Sequence, residues 1–130
     1  MPKFGKLSKS RLFTCDHDLI LVFDIVIQTF DCSILCGHRN KDDQGKAFLE
    51  GVSKVKWPKS KHNSIPSKAV DAAPYPLNWK DEERIVYFAG FVMGVANGLG
   101  VELKWGGDWN KNWKTEDEKF RDLCHFELEE

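Results

Sequence analysis

The chain has 130 residues, 42% of them apolar, and its 19 basic and 20 acidic side chains leave a formal net charge of −1. That length and apolar share suit one compact domain, residues 1–130, with its own core. Near-neutral charge gives no basic field for nucleic acid or an anionic membrane, and the strongest apolar run, 19–27, is too short and is broken by Asp24, so no membrane insertion is expected.

Residues 1–11 carry Lys3, Lys6, Lys9 and Arg11 and read as a loosely packed N-terminus. No apolar secretory segment follows directly, so a protein made and kept in a cytoplasm is expected. Residues 10–30 read as a first helix. Leu19, Ile20, Phe23, Val26, Ile27 and Phe30 recur at three- and four-residue spacing as one apolar stripe, and Thr14 or Asp16 can cap it. Residues 32–36 form a short buried strand ended by Gly37. Residues 41–51 form a short helix with Ala47 and Phe48 inward and Gly51 closing it. Residues 52–67 are a loop, long enough in a small domain to suggest function.

A second strand, 69–73, stops before Pro74 and Pro76. Residues 81–99 hold the clearest helix, with Ile85, Phe88, Ala89, Val92, Val95, Ala96 and Leu99 as its buried stripe and Gly100 as its cap. Gly90, Gly94 and Gly98 repeat every four residues on an adjacent face. Each costs about 1 kcal/mol against alanine in a helix, which predicts close approach to a sheet. Strands at 101–105 and 125–128 enclose a loop rich in Trp, Asn and Asp. The mixture predicts an α+β domain with a small, mostly antiparallel sheet. Cys15, Cys32, Cys36 and Cys124 lack the spacing of a zinc knuckle and read as free thiols.

His62, Asp71 and His125 are the candidate metal ligands, since two imidazoles and a carboxylate suit zinc with a fourth position left for water. Asp71 and His125 sit on short strands among apolar neighbours, where a carboxylate is costly unless paired or bound to a metal. Asp122, three residues before His125, is placed to move protons as a non-ligand carboxylate. Taken singly, each is more often an ordinary surface or satisfied residue.

Their wording gives them weight. Ser60-Lys61-His62 followed by Ala69-Val70-Asp71, then Asp122-Leu123-Cys124-His125, resembles the zinc peptidoglycan peptidases that include D-alanyl-D-alanine carboxypeptidases, and most of all the phage L-alanyl-D-glutamate endopeptidases. Cys36-Gly37-His38-Arg39 is similar to that family's Gly-x-Arg turn, and 106–110 and 125–128 also read like its phage members. The resemblance runs from about Phe13 to the end. It implies a domain of the hedgehog and D-Ala-D-Ala-peptidase type, with one zinc ion on His62, Asp71 and His125. It implies Asp122 as catalytic acid and base, and Arg39 as the partner of the substrate carbonyl or oxyanion, with Gln44 shaping that pocket. It further implies peptidoglycan stem peptides as substrate, cut at L-Ala–D-Glu, by a monomeric phage endolysin that reaches the wall after release from the cytoplasm. The alternatives are a D,D-carboxypeptidase trimming D-Ala-D-Ala and a non-catalytic wall-binding module. Two departures stand out: the His62–Asp71 interval is nine residues where seven is commoner, and Cys124 replaces an expected proline.

His38 adjoins Arg39 and is a candidate substrate contact, against the plainer reading of a solvated turn histidine. Trp109 and Trp113 are the tryptophans best placed to meet the wall, and the others read as packing. Asp108, Asn110 and Asn112 begin like a calcium loop, but Trp113 and Lys119 stand where such a loop needs Gly and Glu. Glu127 is expected to face away from the neighbours of His125 or to pair with a cation.

Overall fold

The computed structural model describes residues 1–129. Among these residues the chain forms four α-helices, α1 (Lys6–Phe13), α2 (His17–Val26), α3 (Lys41–Leu49) and α4 (Glu82–Gly98), and four strands, β1 (Cys32–Cys36), β2 (Ala69–Pro74), β3 (Leu103–Gly106) and β4 (Asp122–Leu128). The strands make one sheet in the order β1-β2-β4-β3, with every neighbouring pair antiparallel. The expected α+β class with a small antiparallel sheet is the one that forms.

Alternation along the strands separates core from site. Val70 and Phe126 are fully buried among Leu19, Val22, Phe23 and Val26 of α2 and Phe88, Ala89, Val92 and Ala96 of α4. The Phe126 ring meets Phe23 edge-on at 5.7 Å and Phe88 at 6.4 Å. Their sequence neighbours Asp71 and His125 therefore emerge on the opposite face of the sheet. Burying Phe126 fixes the direction of His125 as well as stabilising the fold by roughly 2–3 kcal/mol.

The single helix expected over 10–30 is instead two. The chain breaks at Cys15, which bridges to Ser67 in parallel fashion. There the Asp16 N–H donates to Ser67 O at 2.8 Å and the Ser67 N–H to Thr14 O at 2.9 Å. Asp16 then caps α2, accepting from the Asp18 N–H at 3.0 Å. Within the N-terminal stretch expected to be loose, residues 6–11 belong to α1. Ser8 and Leu12 are buried, and α1 covers the exposed edge of β1. Ser8 Oγ accepts from the Ile34 N–H at 3.0 Å and Arg11 donates to Ile34 O at 3.1 Å, which satisfies a residue that lacks a neighbouring strand on that side.

The glycines of α4 also differ from expectation. Gly90, Gly94 and Gly98 are exposed, and a Cβ on any of them would meet nothing within 4 Å. The sheet-facing stripe is Ile85, Phe88, Ala89, Val92, Met93 and Ala96, while Leu99 lies exposed at the helix end. Gly51 and Gly100 take positive φ, 77° and 74°, just beyond α3 and α4 as expected of helix-closing residues.

Candidate metal centre

Strand register assembles the first part of the site. Asp71 stands opposite Cys36 in the β1–β2 ladder and opposite His125 in the β2–β4 ladder. Directly paired residues share a face, so the three side chains form a row across three strands. Beyond Trp105↔Phe126 the next pair is Gly106↔Asp122, so β4 advances four residues for one of β3. That irregularity turns Asp122 toward the row, with its Oδ2 4.0 Å from His125 Nδ1. The Gly106 backbone passes so close that a Cβ there would lie 2.1 Å from Asp122 O.

His62 arrives from a different segment. It occupies a single 3-10 turn, Lys61–Asn63, held by a reciprocal cap. Ser60 Oγ accepts from the His62 N–H at 3.2 Å while Asn63 Oδ1 accepts from the Ser60 N–H at 3.1 Å. The ring is buried, and its Nδ1 lies 2.7 Å from Gly37 O. A carbonyl only accepts, so Nδ1 is the donor and Nε2 faces the site. Gly37 is required there, because a Cβ would sit 2.3 Å from both Arg11 O and Thr14 Oγ1.

The two imidazoles converge on one atom. His62 Nε2 and His125 Nδ1 each lie 3.2 Å from Asp71 Oδ1. The far nitrogen of His125, Nε2, lies 2.8 Å from Glu127 Oε1. Each ring thus gives one nitrogen to an outer acceptor and turns the other to Asp71, the arrangement of histidines prepared to ligate a cation. Cys36 Sγ joins them: with a nitrogen of His62 and an oxygen of Asp71 it forms a set whose atoms lie within 4.8 Å of one another and suit a metal ion.

Electrostatics agree with a cation site. Burial opposes the charge on His62, but hydrogen bonds to Asp71 and Cys36 outweigh it and raise its pKa to about 10. Burial likewise opposes charge on His125, and Asp71 with Glu127 raise it to about 9. Asp71 is deeply buried, which disfavours its charge, yet bonds from His125 and His62 hold its carboxyl well below the ordinary range. The carboxylate is enclosed by protonated rings, and a metal cation would replace those protons. Burial, followed by the charge of Asp71, pushes the Asp122 carboxyl upward.

A cleft of about 480 Å³ opens over this cluster, lined by His62, Asp71, Asp122 and His125 together with Arg39, Trp109 and several lysines. Arg39 Nη2 is 3.6 Å from Asp71 Oδ2, and its Nη1 donates to Gln44 Oε1 at 3.1 Å. Gln44 is fully buried and holds the loop beside Arg39, donating to Ser53 Oγ at 2.9 Å and Val55 O at 2.8 Å. Trp109 stacks on Phe120 with centroids 6.0 Å apart and lies 5.6 Å from the His125 ring. His38 sits outside the cleft lining, with Nδ1 3.0 Å from Ser64 O. Trp113 is exposed beside α4, away from the cleft. The Asp108 carboxylate accepts from the backbone N–H groups of Asn112 and Trp113 at 3.2 and 2.8 Å, making a turn.

The model of the phage L-alanyl-D-glutamate peptidase family matches residues 1–129. The chain belongs to this family. It is 33% identical to the L-alanyl-D-glutamate peptidase of Escherichia phage T5 over 135 residues, covering 97% of each chain. Its fold is similar to the crystal structure of the Serratia marcescens L-Ala D-Glu endopeptidase ChiX, with a TM-score of 0.75, 98% of this chain and 90% of that chain covered, and 22% identity.

In this member of the phage peptidase family, two residues at the cluster, Cys36 and Glu127, carry no mark of it in the local sequence. Cys36, expected only to be a free thiol, is brought to the cluster by its register with Asp71. Glu127 does pair with a cation, Lys61, at 3.1 Å, yet it also touches His125 itself. The two-residue spacing of His125 and Glu127 on a strand puts both on one face. Among the described residues all four cysteines are free thiols.

Proposed function

We propose that this chain is a zinc-dependent peptidoglycan peptidase that hydrolyses the L-Ala–D-Glu bond of stem peptides, acting as a phage endolysin. Family membership supports the bond. The convergence of His62 Nε2 and His125 Nδ1 on Asp71 Oδ1, 3.2 Å each, is the observation that carries the metal reading. His62, Asp71 and His125 would hold one Zn²⁺, a donor set of the kind zinc accepts with a position left open. Bound zinc supplies Lewis acidity and lowers the pKa of water toward about 7.

The protein's own groups do the rest. Asp122 takes a proton from the attacking water and returns it to the leaving amine. Its raised pKa suits both tasks better than that of an exposed carboxylate. Arg39, steadied by Gln44, offers N–H donors to the oxyanion that develops as the carbonyl becomes tetrahedral. Trp109 and Phe120 give the cleft an apolar wall that shields the reacting groups from bulk water. His38 contributes through the turn that carries Arg39. Among the described residues no helix is long and apolar enough to cross a membrane. The substrate is the wall itself, reached after release of the protein from the cytoplasm.

Purified walls digested with the protein test this reading. Mass spectrometry should find fragments with new D-Glu amino termini, whereas loss of terminal D-Ala would mark a D,D-carboxypeptidase. Asp122→Asn should keep its metal and lose roughly 10²- to 10⁴-fold in rate. Unchanged lysis by that variant contradicts the role given to Asp122. The Cys36 contact favours a second ligand set, Cys36 with His62 and Asp71. In the leading reading His125→Ala abolishes tight metal binding and Cys36→Ser does not.

A further inference from the structure

The side of His125 turned away from Asp71 is as ordered as the side turned toward it. His125 Nε2 lies 2.8 Å from Glu127 Oε1, and Glu127 Oε2 lies 3.1 Å from Lys61 Nζ. Lys61 Nζ also donates to the backbone carbonyl of Leu128. The chain of contacts therefore runs from β4, which carries His125, to the 3-10 turn, which carries His62 next to Lys61. The Glu127 side chain is only 16% exposed, so little water competes for its oxygens. A carboxylate accepts and cannot donate when ionised, so Nε2 carries a proton, and Nδ1 is the nitrogen whose lone pair faces the cluster once a cation displaces the proton there. His62 is oriented in the mirror sense by Gly37 O at 2.7 Å, a backbone atom that mutation cannot remove. For His125 the same task falls to a side chain.

Resting on the metal reading above, we propose that Glu127 is a positioning residue that fixes the ring and tautomer of His125, and that Lys61 holds Glu127 in place, so that the Lys61–Glu127 pair sets how the two histidines face one ion. Glu127 lines the cleft but is assigned no bond to the ion. Its effect passes through the His125 ring, by holding the ring plane and by making the free nitrogen a stronger donor. Lys61 adds a tie between two segments that otherwise approach the cluster from separate directions.

The test is the Zn²⁺ dissociation constant of the metal-stripped full chain, measured by competition with a chromophoric chelator, with circular dichroism as the check on folding. Glu127→Ala should bind Zn²⁺ roughly 10- to 100-fold more weakly. Glu127→Gln keeps a carbonyl acceptor and should recover most of that loss, a rescue that a packing role alone would not distinguish from other isosteres such as Glu127→Met. Lys61→Met should weaken binding by a smaller factor, and it serves where Glu127→Ala does not fold. Long-range ¹H–¹⁵N NMR should show the Nε2 proton of His125 in the zinc-loaded wild type and its fast exchange in Glu127→Ala. Wild-type affinity in Glu127→Ala or, if that does not fold, in Lys61→Met, together with loss of binding in His125→Ala, overturns this proposal and leaves the metal reading intact. Wild-type affinity in His125→Ala overturns the metal reading and this proposal with it.

Discussion

A single methyl group at Gly37 would act on two layers of the site at once. Its Cβ would fall 2.3 Å from Arg11 O and Thr14 Oγ1, while its carbonyl is the acceptor for His62 Nδ1 at 2.7 Å. Gly37→Ala should therefore cost about 1–3 kcal/mol in urea unfolding of the metal-free protein. It should also weaken zinc binding, because the shifted carbonyl no longer orients His62. Unchanged values in both measurements would contradict the packing described for this turn. At this scale the sequence was informative where chemistry is rare. Two histidines and an aspartate in recognisable wording stood out, as did Asp122 and Arg39. Cys36 and Glu127 did not, because their contacts depend on which residues oppose or flank Asp71 and His125 on a strand. A cysteine distant in sequence from Asp71 carries no mark of the register that brings it there.

Elements were legible to the extent that local pattern decides them. Residues 81–99 show a helical period throughout, and α4 follows it closely, with Asp81 accepting from the Arg84 N–H at 3.2 Å as its cap. The break between α1 and α2 was hidden because pairing of Cys15 with Ser67, far along the chain, overrides local preference. Asp16 makes this break testable. Its carboxylate caps α2 and meets Lys68 Nζ at 2.8 Å, and hydrogen bonding to Lys68, then to the Asp18 N–H, lowers its pKa. A depressed carboxyl pKa stabilises the fold above the unfolded value, about 3.9, and that contribution fades as pH falls through the folded value. Asp16→Ala should cost about 1–2 kcal/mol at pH 7. Asp16→Asn keeps a competent cap and loses the charge, so it should cost under about 1 kcal/mol. The gap between Asp16→Asn and wild type should close as unfolding is repeated toward pH 3, and a gap that widens on acidification would refute the sign.

The molecule as a whole places a hydrophobic core on one face of the sheet and an ionisable cluster on the other. The core was largely foreseeable from apolar spacing, and the sheet order was not, since strand pairing across the chain leaves no local trace. That order matters for chemistry, because β2 and β4 are neighbours and so bring Asp71 and His125 face to face. The 480 Å³ cleft above them has room for several residues of an extended peptide. Its lining joins basic and acidic side chains to the aromatic pair Trp109 and Phe120.

Zinc K-edge X-ray absorption on the loaded wild-type protein tests the central claim most directly, because sulfur and light ligands scatter at different distances. His62, Asp71 and His125 should give a shell of nitrogen and oxygen alone near 2.0–2.1 Å. A sulfur scatterer at about 2.3 Å would place Cys36 on the metal and contradict the account.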